Sequence, residues 1–145
     1  MGWISKLRSN KDRGAQLVEF ALLAPLLILL VLGIVEFGWL FSQNNDVKHG
    51  AREGARAAAV NRGDNTFLLS STCDAMDLTA PATVDFDDSG SGDIGTTGVV
   101  TVTSSPTSLS GLGIIEAFLP ATLTSSIEFR LEQRSDDWSD TSGSC

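Results

Sequence analysis

Histidine and cysteine are nearly missing from this chain of 145 residues, which has one His and two Cys. A single imidazole with no CxxC pair cannot assemble the ligand set of a zinc centre, so no metal is expected. His49 sits between Lys48 and Gly50 on a helical stretch and reads as a surface residue. The serines form no nucleophile motif and no glycine-rich loop follows a strand, so neither an enzyme nor a bound cofactor is expected. Basic residues are scarce past Gly63, where two Arg face thirteen Asp and Glu for a net charge of about −11. Nucleic-acid phosphates would be repelled by such a body, so no nucleic-acid partner is expected. No internal repeat is visible.

What the chain does have is a basic leader running into a long apolar stretch. Lys6, Arg8, Lys11 and Arg13 stand against Asp12, and Leu17–Phe41 follows, interrupted only by Glu19, Pro25, Gly33, Glu36 and Gly38. As a helix that stretch is roughly 37 Å long, enough to cross a hydrocarbon core with some tilt. It has no polar stripe, as a surface helix would, and the rest of the chain offers too little apolar surface to wrap it as a core helix. Membrane lipid is therefore its expected surroundings. The leader's positive charge predicts a cytoplasmic N-terminus, with Phe37, Trp39 and Phe41 in the outer aromatic belt. A cleaved secretory signal fits poorly, because Glu36–Phe41 occupies the place where small residues should form the cleavage site. Pro25 should remove the helical hydrogen bond to the Ala21 carbonyl and bend the span. Glu36 has no evident role beyond marking the interface.

Glu19 is a carboxylate at the mouth of this span, where burial is costly and a function is the default expectation. It stands five residues after Gly14, in Arg13-Gly14-Ala15-Gln16-Leu17-Val18-Glu19-Phe20. Glycine, four residues, glutamate and an aromatic, opening an apolar helix behind a basic leader, resembles the processing site of type IV prepilins. In that family a membrane-embedded aspartyl peptidase cuts after the glycine. The resemblance implies a cut between Gly14 and Ala15, making Glu19 the fifth mature residue and Phe20 the sixth. It also implies that Glu19 offsets a new α-amino group, in the family that of a neighbouring subunit, as helices leave the bilayer. Losing the leader removes four basic side chains that would hold the helix at the cytoplasmic face.

The likeness continues through Pro25-Leu26-Leu27, Gly33-Ile34-Val35-Glu36-Phe37-Gly38 and Ala51-Arg52-Glu53-Gly54-Ala55-Arg56-Ala57-Ala58-Ala59-Val60. Over residues 13–60 it resembles the TadE-like minor pseudopilins of tight-adherence (Flp-type) pilus systems. A phenylalanine stands where many relatives have tyrosine, and the leader carries an extra Trp3. The resemblance implies four partners: a prepilin peptidase, the major pilin, a sister pseudopilin and the inner-membrane assembly platform.

Past Phe41 the helix is expected to continue to about Val60. Lys48, Arg52 and Arg56 recur every fourth residue as a basic stripe, either a solvated face or a docking site. Gly50, Gly54 and Ala58 recur likewise on roughly the opposite face. Small residues at that spacing admit a close backbone, from the chain's own domain or from other subunits; with Glu19 and Pro25 they are the candidate packing residues. Asn61–Asn65 clusters turn formers and predicts a helix stop. The remainder reads as β-rich, with strands over 82–86, 98–103 and 127–132. Leu112–Leu119 is either a short helix or an apolar loop.

The predicted fold class is α+β and pilin-like: one long N-terminal transmembrane and amphipathic helix with a small antiparallel sheet laid on its outer half. The expected organisation is a leader over 1–14, a span over 15–41, a helical continuation over 42–62 and a β-rich extracytoplasmic domain over 63–145. Cys73 and Cys145 both fall in that domain, where an oxidising compartment permits a bridge. Free thiols or an intermolecular bond are the alternatives. A bridge would close about seventy residues and contribute on the order of 4 kcal/mol. Asp85–Asp93 spaces oxygens as a calcium loop does, but Thr96 stands where the bidentate Glu belongs, so a solvated acidic turn is expected. The functional expectation is a minor pseudopilin that primes or caps the pilus. The other class is a permanently anchored envelope protein whose acidic domain binds a ligand or surface.

Overall fold

The computed structural model describes residues 5–60, 64–77, 81–87, 93–111, 117, 119–133 and 141–145, with side chains in the first helix from Gly14 onward. Contacts divide the chain into two compact units, Met1–Phe37 and Gly38–Cys145. A single helix, α1, runs over Ser5–Val60 through both, with Pro25 inside it. The alanines and unbranched side chains of this stretch favour helix.

In the first unit the described side chains are almost all exposed. Leu17, Phe20, Leu22 and Ile34 each keep more than 60 % of their surface. An apolar face on all sides has no water-soluble solution and calls for lipid or neighbouring helices. The Gly14–Val60 part of α1 is long and apolar enough to cross a membrane, and suggests a membrane anchor.

The second unit is built on the C-terminal turns of α1. Gln43, Val47, Gly50, Ala51, Gly54, Ala55 and Ala58 are buried, at the three- and four-residue steps of one helical face. Against them pack α2 (Asn65–Asp74) and the strands β1 (Ala82–Asp87), β2 (Thr97–Ser104) and β3 (Leu123–Arg130), and β4 (Thr141–Ser144) lies on the edge of β1 beside Leu69 of α2. The strands form one antiparallel sheet in the order β3-β2-β1-β4. Val84 lies opposite Val102, and Val102 opposite Ser125; Phe86 lies opposite Val100, and Val100 opposite Ile127. This alternation turns Val84, Phe86, Val100, Val102, Leu123 and Phe129 to the core together with Ser104 and Ser125, and Thr83, Asp85, Asp87, Thr124, Ser126 and Glu128 outward. The fold is α+β, as the sequence indicates.

Two elements depart from the sequence reading. α2 forms where turn and β-rich chain is expected: Asp64 caps it, accepting a hydrogen bond from the Phe67 amide at 3.0 Å, and Leu68 and Thr72 are buried. A fourth strand, β4, forms in the serine-rich tail, pairing Thr83–Phe86 on the edge of β1. The third strand begins at Leu123, ahead of the expected 127, and ends at Arg130, because its inward positions include the polar Ser125. The Glu132 amide donates to the Ala59 carbonyl at 2.9 Å, satisfying one of the unpaired carbonyls at the end of α1. Most of Leu112–Leu119 lies outside the described residues, as do 88–92 of the acidic stretch; Asp85 and Asp87 stand on the exposed face of β1.

Candidate functional site on the long helix

Gly14 lies within α1, and a Cβ added there would meet no atom within 4 Å. Packing within the chain therefore does not require a glycine at this point. Helix stability disfavours it by about 1 kcal/mol relative to alanine. The side chains of Ala15, Glu19, Phe20 and Pro25 are exposed. Ala15 and Glu19 are one helical step of four apart, so they share a face about 6 Å apart along the axis. The structure thus sets the candidate processing site and its carboxylate on one open, accessible stretch of helix. Glu36, in contrast, is buried at 3 % exposure.

Gly50, Gly54 and Ala58 are buried in the second unit. A Cβ on Gly54 would lie 2.5 Å from the Thr72 hydroxyl and 3.2 Å from Val100 Cγ1. One on Gly50 would lie 2.5 Å from Met76 Cγ and 2.6 Å from its sulfur. Of the two packings that the sequence leaves open for this face, the chain's own α2 and β2 therefore take it. Gly50, Gly54 and Ala58 hold the domain on α1 and do not offer a free subunit-packing surface, while Glu19 and Pro25 remain uncovered. Thr72, at the point of closest approach, turns its own hydroxyl back to the Leu68 carbonyl at 2.9 Å.

The basic stripe lies to the outside. Arg52 and Arg56 are exposed and Lys48 is partly so. Arg56 is paired with Glu53 in a bidentate salt bridge, with Nε 3.1 Å from both carboxylate oxygens. The Arg56 hydrogen bond holds the Glu53 carboxyl below its ordinary range; slight burial opposes this, and the charges of Arg56 and His49 add to it. His49 is exposed and, with Ser42, Asn45, Asp46, Asp74 and Asp77, lines an open groove between α1 and the end of α2. Among the described residues no three His, Cys, Asp or Glu side chains are grouped to hold a metal ion.

A clamp that the sequence reading missed sits lower on the helix. The buried Gln43 side chain donates to the Thr107 carbonyl at 2.8 Å and accepts from the Thr107 amide at 2.9 Å. The Trp39 indole donates to the same carbonyl at 3.0 Å. Gln43 acts as a substitute peptide group, pairing a loop residue as a strand would. Its signal was available: an amide in register with the apolar face of Val47, Ala51 and Ala55 requires a buried partner. Cys73 and Cys145 form a disulfide with Cα atoms 5.5 Å apart, which fastens the end of β4 to α2.

Residues 14–56 match the family model described as TadE-like protein. Over this stretch the chain is similar to the TadE-like family. The match begins on Gly14 and ends at Arg56, so it takes in the glycine, Glu19, the apolar run and the small-residue face. It stops short of α2 and the sheet. No curated protein and no solved structure matches the chain.

Proposed function

We propose that the chain is a minor pseudopilin of a tight-adherence pilus system, cut between Gly14 and Ala15 by a prepilin peptidase. The observation that carries this is the TadE-like match opening on a glycine that packing does not need, five residues ahead of an exposed carboxylate. The scissile bond lies inside α1, so the peptidase must open a helical turn, and glycine is the residue that lowers that cost. After the cut, the Ala15 amine and the Glu19 carboxylate stand on one helix face. Glu19 then neutralises its own amine or exchanges to that of a neighbour as helices bundle.

In this proposal the N-terminus faces the cytoplasm and Gly38–Cys145 lies outside. The charge of the leader supports that orientation, and so does the disulfide, which persists in oxidising compartments. The subunit works by packing and not by catalysis, priming or capping a fibre of the major pilin with a sister pseudopilin on the inner-membrane platform. The discriminating experiment complements a null strain with Gly14→Ala, Glu19→Gln or the unaltered chain. Gly14→Ala should accumulate with the leader attached. Glu19→Gln should be cut yet fail to restore piliation. Full piliation by both variants would remove the basis for the proposal.

A further inference from the structure

The Trp39–Gln43–Thr107 clamp fixes which part of the second unit lies at the level of Trp39 on α1. Val100 is the neighbour of Gly54 on the helix, whereas Thr107 is bonded to Gln43 and Trp39. Those two levels on α1 are roughly 20 Å apart at 1.5 Å per residue. Seven residues of extended chain cover about 23 Å, so the path from Val100 to Thr107 descends almost straight along α1 towards Trp39. The first part of the connection after β2, Ser105–Gly111, therefore lies at the Trp39 end of this unit. At the other end, Gly95 and Thr96 bond Leu131, and Glu132 bonds Ala59. That is roughly 27 Å further along the helix than the clamp.

The composition of the lower end matches its position. From Ile94 to Ile115 there is no Asp, Glu, Lys, Arg or His, although the chain beyond Gly63 is strongly acidic. The loop Ser105–Gly111 contains only Ser, Pro, Thr, Leu and Gly, and its Leu109 is 57 % exposed. On α1 at the same level, Phe41 is 59 % exposed and Trp39 is partly exposed. Indole and phenyl groups at the end of an apolar helix are the usual residents of the membrane–water boundary. Leu109 lies two residues past Thr107, so its Cα is within about 7 Å of the clamp. That distance is comparable to the depth of one headgroup layer.

We propose that the Ser105–Gly111 loop rests on the lipid surface, with Leu109 inserted at the headgroup–acyl boundary beside Trp39 and Phe41. The occupant is the phospholipid bilayer, and the clamp holds the loop at that depth. The lack of carboxylates on this loop avoids repulsion from anionic headgroups. This contact rests on α1 being a membrane anchor, and the experiment separates the two ideas.

Full-length chains carrying Leu109→Cys, Leu27→Cys or Ile94→Cys are labelled with an environment-sensitive fluorophore, the native disulfide being confirmed by mass. They are reconstituted in vesicles of phosphatidylethanolamine and phosphatidylglycerol, with doxyl quenchers placed shallow or deep on the acyl chain. The Leu109 label should shift to the blue and lose intensity, more to the shallow quencher than to the deep one. The Leu27 label should lose more to the deep quencher, and the Ile94 label should respond to neither. A Leu109 label unaffected by both quenchers, blue-shifted or not, overturns the contact while a quenched Leu27 leaves the anchor standing. An unquenched Leu27 label would instead remove the anchor itself.

Discussion

Replacing Gly54 by alanine tests how tightly the domain is seated on α1. The new methyl would sit 2.5 Å from the Thr72 oxygen and 3.2 Å from Val100 Cγ1. Neither neighbour is free to move: Thr72 and Val100 are fully buried, and Thr72 is bonded within α2. Overpacking of this kind costs about 1–3 kcal/mol, while alanine returns up to about 1 kcal/mol of helix propensity. The expected net loss is about 1–2 kcal/mol, which for a unit of this size lowers Tm by about 4–8 °C per kcal/mol. Gly50→Ala supplies the contrast, because its methyl meets Cγ and the sulfur of the partly exposed Met76, an unbranched side chain that can turn aside. It should be neutral or slightly stabilising. Thr72→Ala removes the obstructing hydroxyl, so the Gly54→Ala/Thr72→Ala double variant should be more stable than the two single losses predict, with a coupling of about 1 kcal/mol or more. Thermal unfolding of the detergent-solubilised, disulfide-intact protein reads all four. A Gly54→Ala protein as stable as the parent, or additive losses in the double variant, would refute the close approach of α1 and α2.

Three further outcomes follow from particular contacts. Replacing Cys73 and Cys145 by serine should lower stability by about 4 kcal/mol, since the bridge spans a sequence separation of 72 residues; the urea midpoint compared with that of the oxidised parent measures it. Gln43→Ala removes both bonds to the Thr107 backbone and a longer one from its hydroxyl and opens a buried site, so a loss of about 2–3 kcal/mol is expected, with the Thr107 amide losing its hydrogen-exchange protection. Glu53 titrates below its ordinary range in the folded chain because Arg56 bonds its ionised form. The folded state thus binds fewer protons than the unfolded one between the two pKa values. The contribution is complete above the unfolded value and is lost as pH falls through the folded one. Glu53→Gln should lower Tm slightly at neutral pH and leave it unchanged in acid below the folded value, which flattens the acid-side fall, and added salt should shrink the neutral-pH difference, since the pair is exposed.

Much of the fold was legible because its periodicities are local. The apolar run and the small-residue steps mark α1 to its end at Val60, alternation marks β1 and the later part of β3, and β-branched residues mark β2. α2 was hidden because Asn65–Asp74 is rich in hydroxyl residues that favour turns and caps, and it is held by burial of Leu68 and Thr72 against α1. Its one local signal is Asp64, three residues ahead of the amide that it caps. β4 carries no alternation at all; the edge of β1 and the bond from Cys145 to Cys73 place it, and both are long-range. At the candidate site, Gly14 and Glu19 are readable because the chemistry sits in consecutive residues. The Gln43–Thr107 clamp joins positions 64 residues apart, and only the helical register of Gln43 pointed to it.

Cleavage by a peptidase after Gly14 is the step on which the proposed function depends. Intact mass and N-terminal sequencing of the protein, made with and without a prepilin peptidase in the same host, test it directly. The chain should begin at Ala15 only when the peptidase is present. A chain that retains Met1–Gly14 in both samples would contradict it and leave a permanently anchored protein with an acidic outer domain.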